Sequence, residues 1–98
     1  MKHWFFTIHK TPKRAEVSDE FAWETLQKHT AYFKELGKLG KCLMAGPFIN
    51  QNTEMGGGCF VFLAETEAEA RDLEDHDPLV LEGLYSYKIY EWHKVVPE

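Results

Sequence analysis

The stretch Gly58-Cys59-Phe60-Val61-Phe62-Leu63-Ala64 narrows what this chain can fold into more than any other segment. It is a nearly continuous apolar run without a single charge, of strand length and rich in aromatic and aliphatic residues, so it reads as a central strand of a sheet. The chain has 98 residues to build around it. That fits one domain, which loses roughly two-thirds of its unfolded surface on folding. Stability is thin at this size, and association would help it.

The remaining elements follow from periodicity and punctuation. Residues 2–9 alternate, with Trp4, Phe6 and Ile8 on one face and His3, Phe5, Thr7 and His9 on the other. They form a strand that stops at the turn signal Lys10-Thr11-Pro12-Lys13-Arg14. Residues 18–39 read as the main helix: Ser18 is a good N-cap, and Asp19 and Glu20 place negative charge on the first turn. Ala22, Leu26, His29, Phe33 and Leu36 make its buried stripe, and Gly37 and Gly40 mark its end. A second strand at 41–46 ends at Gly46-Pro47, and a polar loop leads from it to the 58–64 strand. Residues 66–74 form a short acidic helix capped by Thr66, with Glu69 in the capping-box position and Ala70 and Leu73 facing inward. Asp77-Pro78 stops that helix and opens a further turn ending at Gly83, after which residues 84–93 form a last strand, aromatic on both faces.

The order β-α-β-β-α-β predicts an α+β, ferredoxin-like domain over residues 1–98: a four-stranded antiparallel sheet with two helices on one face. The other sheet face is left uncovered and carries large apolar groups. Such a face marks an interface, and two of them packed together make a dimeric α+β barrel. A homodimer is therefore expected, with Tyr85, Tyr87, Tyr90 and Trp92 contributing to sheet packing and to that interface.

Charge and composition remove several classes of function. The formal net charge is −5, which disfavours nucleic acid and anionic membranes, since both are held by Lys and Arg. No apolar run reaches the roughly 20 residues that span a bilayer. The N-terminal segment lacks the apolar length and small-residue cleavage site of a signal peptide, so it reads as the first strand of a mature protein. Cys42 and Cys59 form neither a CxxC pair nor a disulfide framework, and a cytoplasmic location is the default expectation. No cofactor motif is present: Gly56-Gly57-Gly58 is not followed by Lys-Ser/Thr and a helix, so it reads as a strand entry or bulge. No metal site is expected. His3 and His9 share a face but stand about 20 Å apart at strand rise, and His76 with His93 falls short of the three or four converging ligands a zinc site needs. The acidic run from Glu65 to Asp77 reads as the solvated face of a short helix.

Two residues stand out as candidate chemistry. His29 interrupts an apolar stripe, so it faces the sheet or a pocket beside it. Its plain structural reading is a core histidine hydrogen-bonded to a carbonyl. Asp77 before Pro78 is equally an ordinary N-cap with Pro at the first helical position. Together they gain weight, because this topology brings the end of the second helix near the first half of the main helix. A carboxylate beside an imidazole favours the protonated ring and fixes its tautomer, and such a pair can act as a general base or acid. No Ser or Cys nucleophile stands out, which points towards proton transfer.

The series Leu26-x-x-His29-x-x-x-Phe33-x-x-Leu36, Gly40, Ala45-Gly46-Pro47, Glu65-Thr66-x-x-Glu69-Ala70-x-x-Leu73, Asp77-Pro78-Leu79 and Gly83-Leu84 resembles the YciI-like (YCII-related) family over nearly the whole chain. No single motif is highly specific; their order and spacing carry the likeness. The resemblance implies a dimeric α+β barrel with a His–Asp pair in a cleft thought to be an active site, here His29 and Asp77. It implies the Gly46-Pro47 turn as cleft wall; Gly46, Pro47 and the adjoining Phe48 are the expected substrate contacts. Most such proteins have no assigned function. Some relatives are dehydrochlorinases of chlorinated aromatic breakdown products, and the fold also resembles muconolactone isomerases. The segment from Phe48 to Gly58 differs widely among them, so substrate class does not carry over.

Three readings follow. In the first, the chain is an enzyme for a small cyclic or enolisable molecule, with His29 as acid or base and Asp77 orienting it for elimination or isomerisation. In the second, it is a non-catalytic small-ligand-binding or regulatory module. In the third, it is a structural dimerisation domain in which the pair only ties a helix to a loop.

Overall fold

Alternation decides the sheet. In the computed structural model, which describes residues 1–98, β1 (Lys2–Lys10) is flanked on one side by β3 (Gly58–Ala64) and on the other by β4 (Tyr85–Trp92), and β2 (Cys42–Pro47) lies outside β3. Every neighbouring pair is antiparallel, giving the order β2-β3-β1-β4 of a ferredoxin-like sheet. The register sets Phe6 opposite both Phe60 and Ile89, and Trp4 opposite Phe62. One face therefore collects the large apolar side chains. Phe6 and Phe60 stack with ring centroids 4.8 Å apart, and Phe33 meets Phe60 edge-on at 4.7 Å. Each such ring contributes about 1.5–3 kcal/mol through burial.

The helices close that face. Four are present, two more than expected, the extra ones being single turns. The first, α1 (Pro12–Glu16), occupies the segment read as a plain turn. Pro12 pre-sets the first helical φ, and Thr11 Oγ1 donates to Gly83 O at 2.6 Å, tying the turn to the start of β4. The main helix is α2 (Asp19–Lys38), where Ser18 Oγ accepts from Phe21 N at 3.0 Å. Its buried residues are Ala22, Thr25, Phe33 and Leu36. Leu26, expected in this stripe, is 39% exposed, and Thr25 takes the inner position instead. The threonine can do so because its hydroxyl donates back to Phe21 O at 2.8 Å and brings no unpaired polar group inside. In α3 (Glu67–Asp75), Thr66 caps by accepting from Glu69 N, while Glu69 accepts from Glu65 N. The second single turn is α4 (Pro78–Leu81), which Asp77 caps and which ends at Gly83 with φ +71°.

The β2–β3 loop is pinned to β1. Gly57 N donates to Ile8 O at 2.8 Å. Gly56 sits at φ +88°, and a Cβ there would stand 2.1 Å from Ile8 O. Only glycine permits that close approach.

The opposite sheet face has no helix over it. Phe5, Val61 and Tyr90 lie in one row across β1, β3 and β4, with His3, Leu63 and Trp92 in the next. Trp92 packs edge-on against Phe5 and remains 57% exposed. The aromatic cluster expected on β4 is therefore split: Tyr85 and Tyr87 turn to the core, Tyr90 and Trp92 to the open face. No helix is long and apolar enough to cross a membrane.

Candidate active site

His29 sits in the middle of α2 on the face turned to the sheet, and its ring lies 4.4 Å from that of Phe33 one turn later. Asp77 lies in the short link between α3 and α4 and is completely buried. The fold brings them together: His29 Nδ1 lies 2.8 Å from Asp77 Oδ1 and 2.9 Å from Oδ2. A carboxylate only accepts, so Nδ1 carries the proton and donates. Asp77 also accepts from Leu79 N at 3.0 Å, performing its capping role with the same oxygen. The plain and the functional readings of Asp77 thus describe one geometry.

In the neutral ring this tautomer makes Nε2 the acceptor, and Nε2 has no hydrogen bond inside the chain. The imidazole is 14% exposed, and it lines a cavity of about 770 Å³ between α2, the β2–β3 edge and the start of β4. The walls are mainly apolar: Leu26 and Phe33 from α2, Met44 from β2, Phe60 from β3, Leu79 and Tyr85. Trp23, 62% exposed, stands at its rim. The polar side chains on the wall are Gln27, His29, Thr30, Lys34, Gln51 and Tyr85, with Lys34 the charged one. Burial pushes the Tyr85 phenol up, opposed by Arg14, so Tyr85 offers a neutral hydroxyl.

Gly46 and Pro47 line the cavity; Phe48 does not. The Phe48 backbone is used within the loop instead, its N–H donating to Gly57 O at 2.9 Å and its carbonyl accepting from Gln51 Nε2. Gln51, from the segment expected only to shape the cleft, is the loop side chain on the wall. Trp23, Met44 and Tyr85 also belong to the lining and carried no functional signal in the sequence, because an exposed aromatic on a helix and an apolar residue on an edge strand have ordinary packing roles. Cys42 and Cys59 both reach the cavity as free thiols on neighbouring strands, out of register. Burial pushes the Cys42 thiol up, which keeps it from acting as a thiolate nucleophile.

One side chain departs from its expected role. Glu74, in the acidic run read as a solvated face, is completely buried and neither of its carboxyl oxygens has a partner. The signal was present in the spacing: Glu74 follows Ala70 by four residues, on the inner side of α3. No group of three or more His, Cys, Asp or Glu side chains is arranged to hold a metal ion.

The fold is thus a ferredoxin-like α+β sheet, with the His29 ring opening into a mainly apolar cavity. The chain belongs to the YCII-related domain family, whose model matches residues 4–93. Its structure is similar to that of 5-chloro-2-hydroxyhydroquinone dehydrochlorinase from Burkholderia phenoliruptrix in complex with 2,5-dihydroxybenzoquinone. The TM-score is 0.70, with 20% sequence identity over 93% of each chain. At that identity the likeness establishes the fold. No curated protein matches the chain by sequence.

Proposed function

We propose that this protein is a small-molecule enzyme in which His29 Nε2 moves a proton and Asp77 holds the ring for it. The observation that carries this reading is the two-oxygen grip of Asp77 on Nδ1, which leaves the basic nitrogen unengaged on the wall of an apolar cavity. When Nε2 takes a proton, the imidazolium that forms faces an anion already in contact with it, so the charge develops where it is stabilised. Elimination or isomerisation suits this equipment. In an elimination, Nε2 removes a proton, the electron pair left behind forms a new double bond, and the leaving group departs with the pair of the broken bond. The substrate is a small cyclic, enolisable molecule, since the walls offer mainly apolar surface with a few polar side chains to hold ring oxygens. The quinone-type ligand of the structurally similar dehydrochlorinase supports that size and shape.

The active form is a homodimer joined through the open sheet face, where Phe5, Val61, Leu63, Tyr90 and Trp92 gather. The two free thiols suit the reducing interior of a cell.

The test is turnover of 5-chloro-2-hydroxyhydroquinone and of unsaturated lactones, read by chloride release and mass spectrometry. His29→Ala is expected to lower kcat about 10²–10⁴-fold, the range a positioned acid or base supplies, with the fold intact by circular dichroism. Full activity in His29→Ala would overturn the catalytic reading. A ligand that binds tightly and is recovered unchanged would favour a non-catalytic binding module.

A further inference from the structure

Glu74 is the one buried ionisable group that the site as described leaves unused. It lies in the last turn of α3 with no exposure, and both of its oxygens lack a donor. The groups that face it offer none. Tyr32, from α2, gives its hydroxyl proton to Leu73 O. The Cys42 thiol, from β2, points its hydrogen at Met44 O. Asp75, beside it on α3, is an acid, and no lysine or arginine acts on it. The remaining neighbour is Asp77, three residues on in the same tight turn, where its N–H donates to Glu74 O at 3.0 Å and its charge acts on the Glu74 carboxyl.

Two fully buried carboxyls on one turn disfavour being ionised together. The donors around them decide which holds the proton. Asp77 receives His29 Nδ1–H and Leu79 N–H, whereas Glu74 receives nothing. The proton therefore sits on Glu74, and the partnerless oxygens are accounted for, because a carboxylic acid brings its own donor.

We propose that Glu74 is a positioning residue of the His29–Asp77 pair: a carboxylic acid whose proton is donated to Asp77, holding that carboxylate in place and limiting the negative charge that the imidazole receives from it. Burial, followed by the Asp77 charge, pushes Glu74 up to about 11, so it stays neutral through the physiological range. The chain Glu74–Asp77–His29 ends at the cavity, while Glu74 itself is not part of the wall. A carboxylate that already accepts an O–H bond binds the imidazolium less tightly, and His29 then returns its proton more readily. This suits a group that must both take and give one. The proposal rests on the reading of His29 and Asp77 as the site.

Two measurements test it, neither of which needs turnover, so its failure is separate from failure of the catalytic reading. The first is urea unfolding of wild type and Glu74→Gln from pH 6 to 9. Glu74 holds a proton when folded and loses it when unfolded in this window, so the folding constant of wild type relative to Glu74→Gln is expected to fall about tenfold per pH unit. A flat ratio would overturn the proposal. The second is the His29 Nδ1–H resonance. In Glu74→Leu, Asp77 loses its acid and grips the imidazole harder, so the resonance moves downfield. Glu74→Gln, which still donates, moves it back towards wild type. A resonance unmoved in both variants makes Glu74 a merely structural acid and overturns the proposal. If Glu74→Leu does not fold, Glu74→Ala takes its place in the same comparison of the His29 resonance.

Discussion

Among single residues, Asp77 meets two demands that separate cleanly under substitution. Capping α4 requires only an acceptor for Leu79 N, whereas gripping His29 requires a second oxygen and a charge. Asparagine is a good N-cap. Asp77→Asn is therefore expected to keep most of the stability while reducing turnover, and Asp77→Ala to lose both, with a stability cost of about 1–2 kcal/mol from the cap. Urea unfolding alongside kinetics resolves the two effects, and wild-type turnover in Asp77→Asn would show that the charge has no role. His29 was legible in the sequence because a histidine in an apolar helical stripe has few explanations. Its contact with Asp77 followed from topology and not from spacing, since 48 residues separate them. Glu74 was hidden by its surroundings: in a run of acids every member looks solvated, and only the four-residue step from Ala70 distinguishes the one that turns inward.

For elements, position along the chain was readable and local detail was not. The four strands and the two long helices lie within a residue or so of where periodicity and caps put them, because a Ser or Thr cap, an alternating strand and a positive-φ glycine each leave a chemical mark. The single-turn helix α1 left none apart from Thr11-Pro12, which serves a turn equally well. Thr25 displaced Leu26 in the core of α2 because a back-bonded hydroxyl is cheap to bury, and periodicity is blind to that. The β2–β3 loop gives the sharpest prediction at this scale. Gly56→Ala places a methyl carbon against Ile8 O and forces φ away from +88°. Backbone strain of this kind costs about 1–3 kcal/mol, so the urea midpoint is expected to drop with little change in m-value. An unchanged midpoint would mean the loop is not held to β1 as described.

The whole molecule presents two unlike sheet faces. One is filled by phenylalanine rings and closed by helices; the other displays Tyr90 at 52% and Trp92 at 57% exposure beside Phe5. In a homodimer joined through this face, the double substitution Tyr90→Lys, Trp92→Lys brings like charges together inside an apolar contact and is expected to give monomers in analytical ultracentrifugation. The core is on the far side of the sheet, so the helical circular dichroism signal should survive. A variant with the sedimentation coefficient of wild type would place the contact elsewhere. The sequence indicated that this face is apolar, but what lies against it is a property of two chains and is not written in one.

The way the cavity wall is anchored has a consequence for which molecules the cavity can take. The imidazole pair is mounted on α2 and the α3–α4 link, whereas Gln51 comes from a loop fastened at its own end, where Gly57 N–H meets Ile8 O. The segment from Phe48 to Met55 is thus a replaceable panel between fixed posts at Pro47 and Gly56. On the proposed function, randomising it would redraw which molecules enter without retuning the His29–Asp77 pair, and a library confined to those eight positions is where altered selectivity should first be sought.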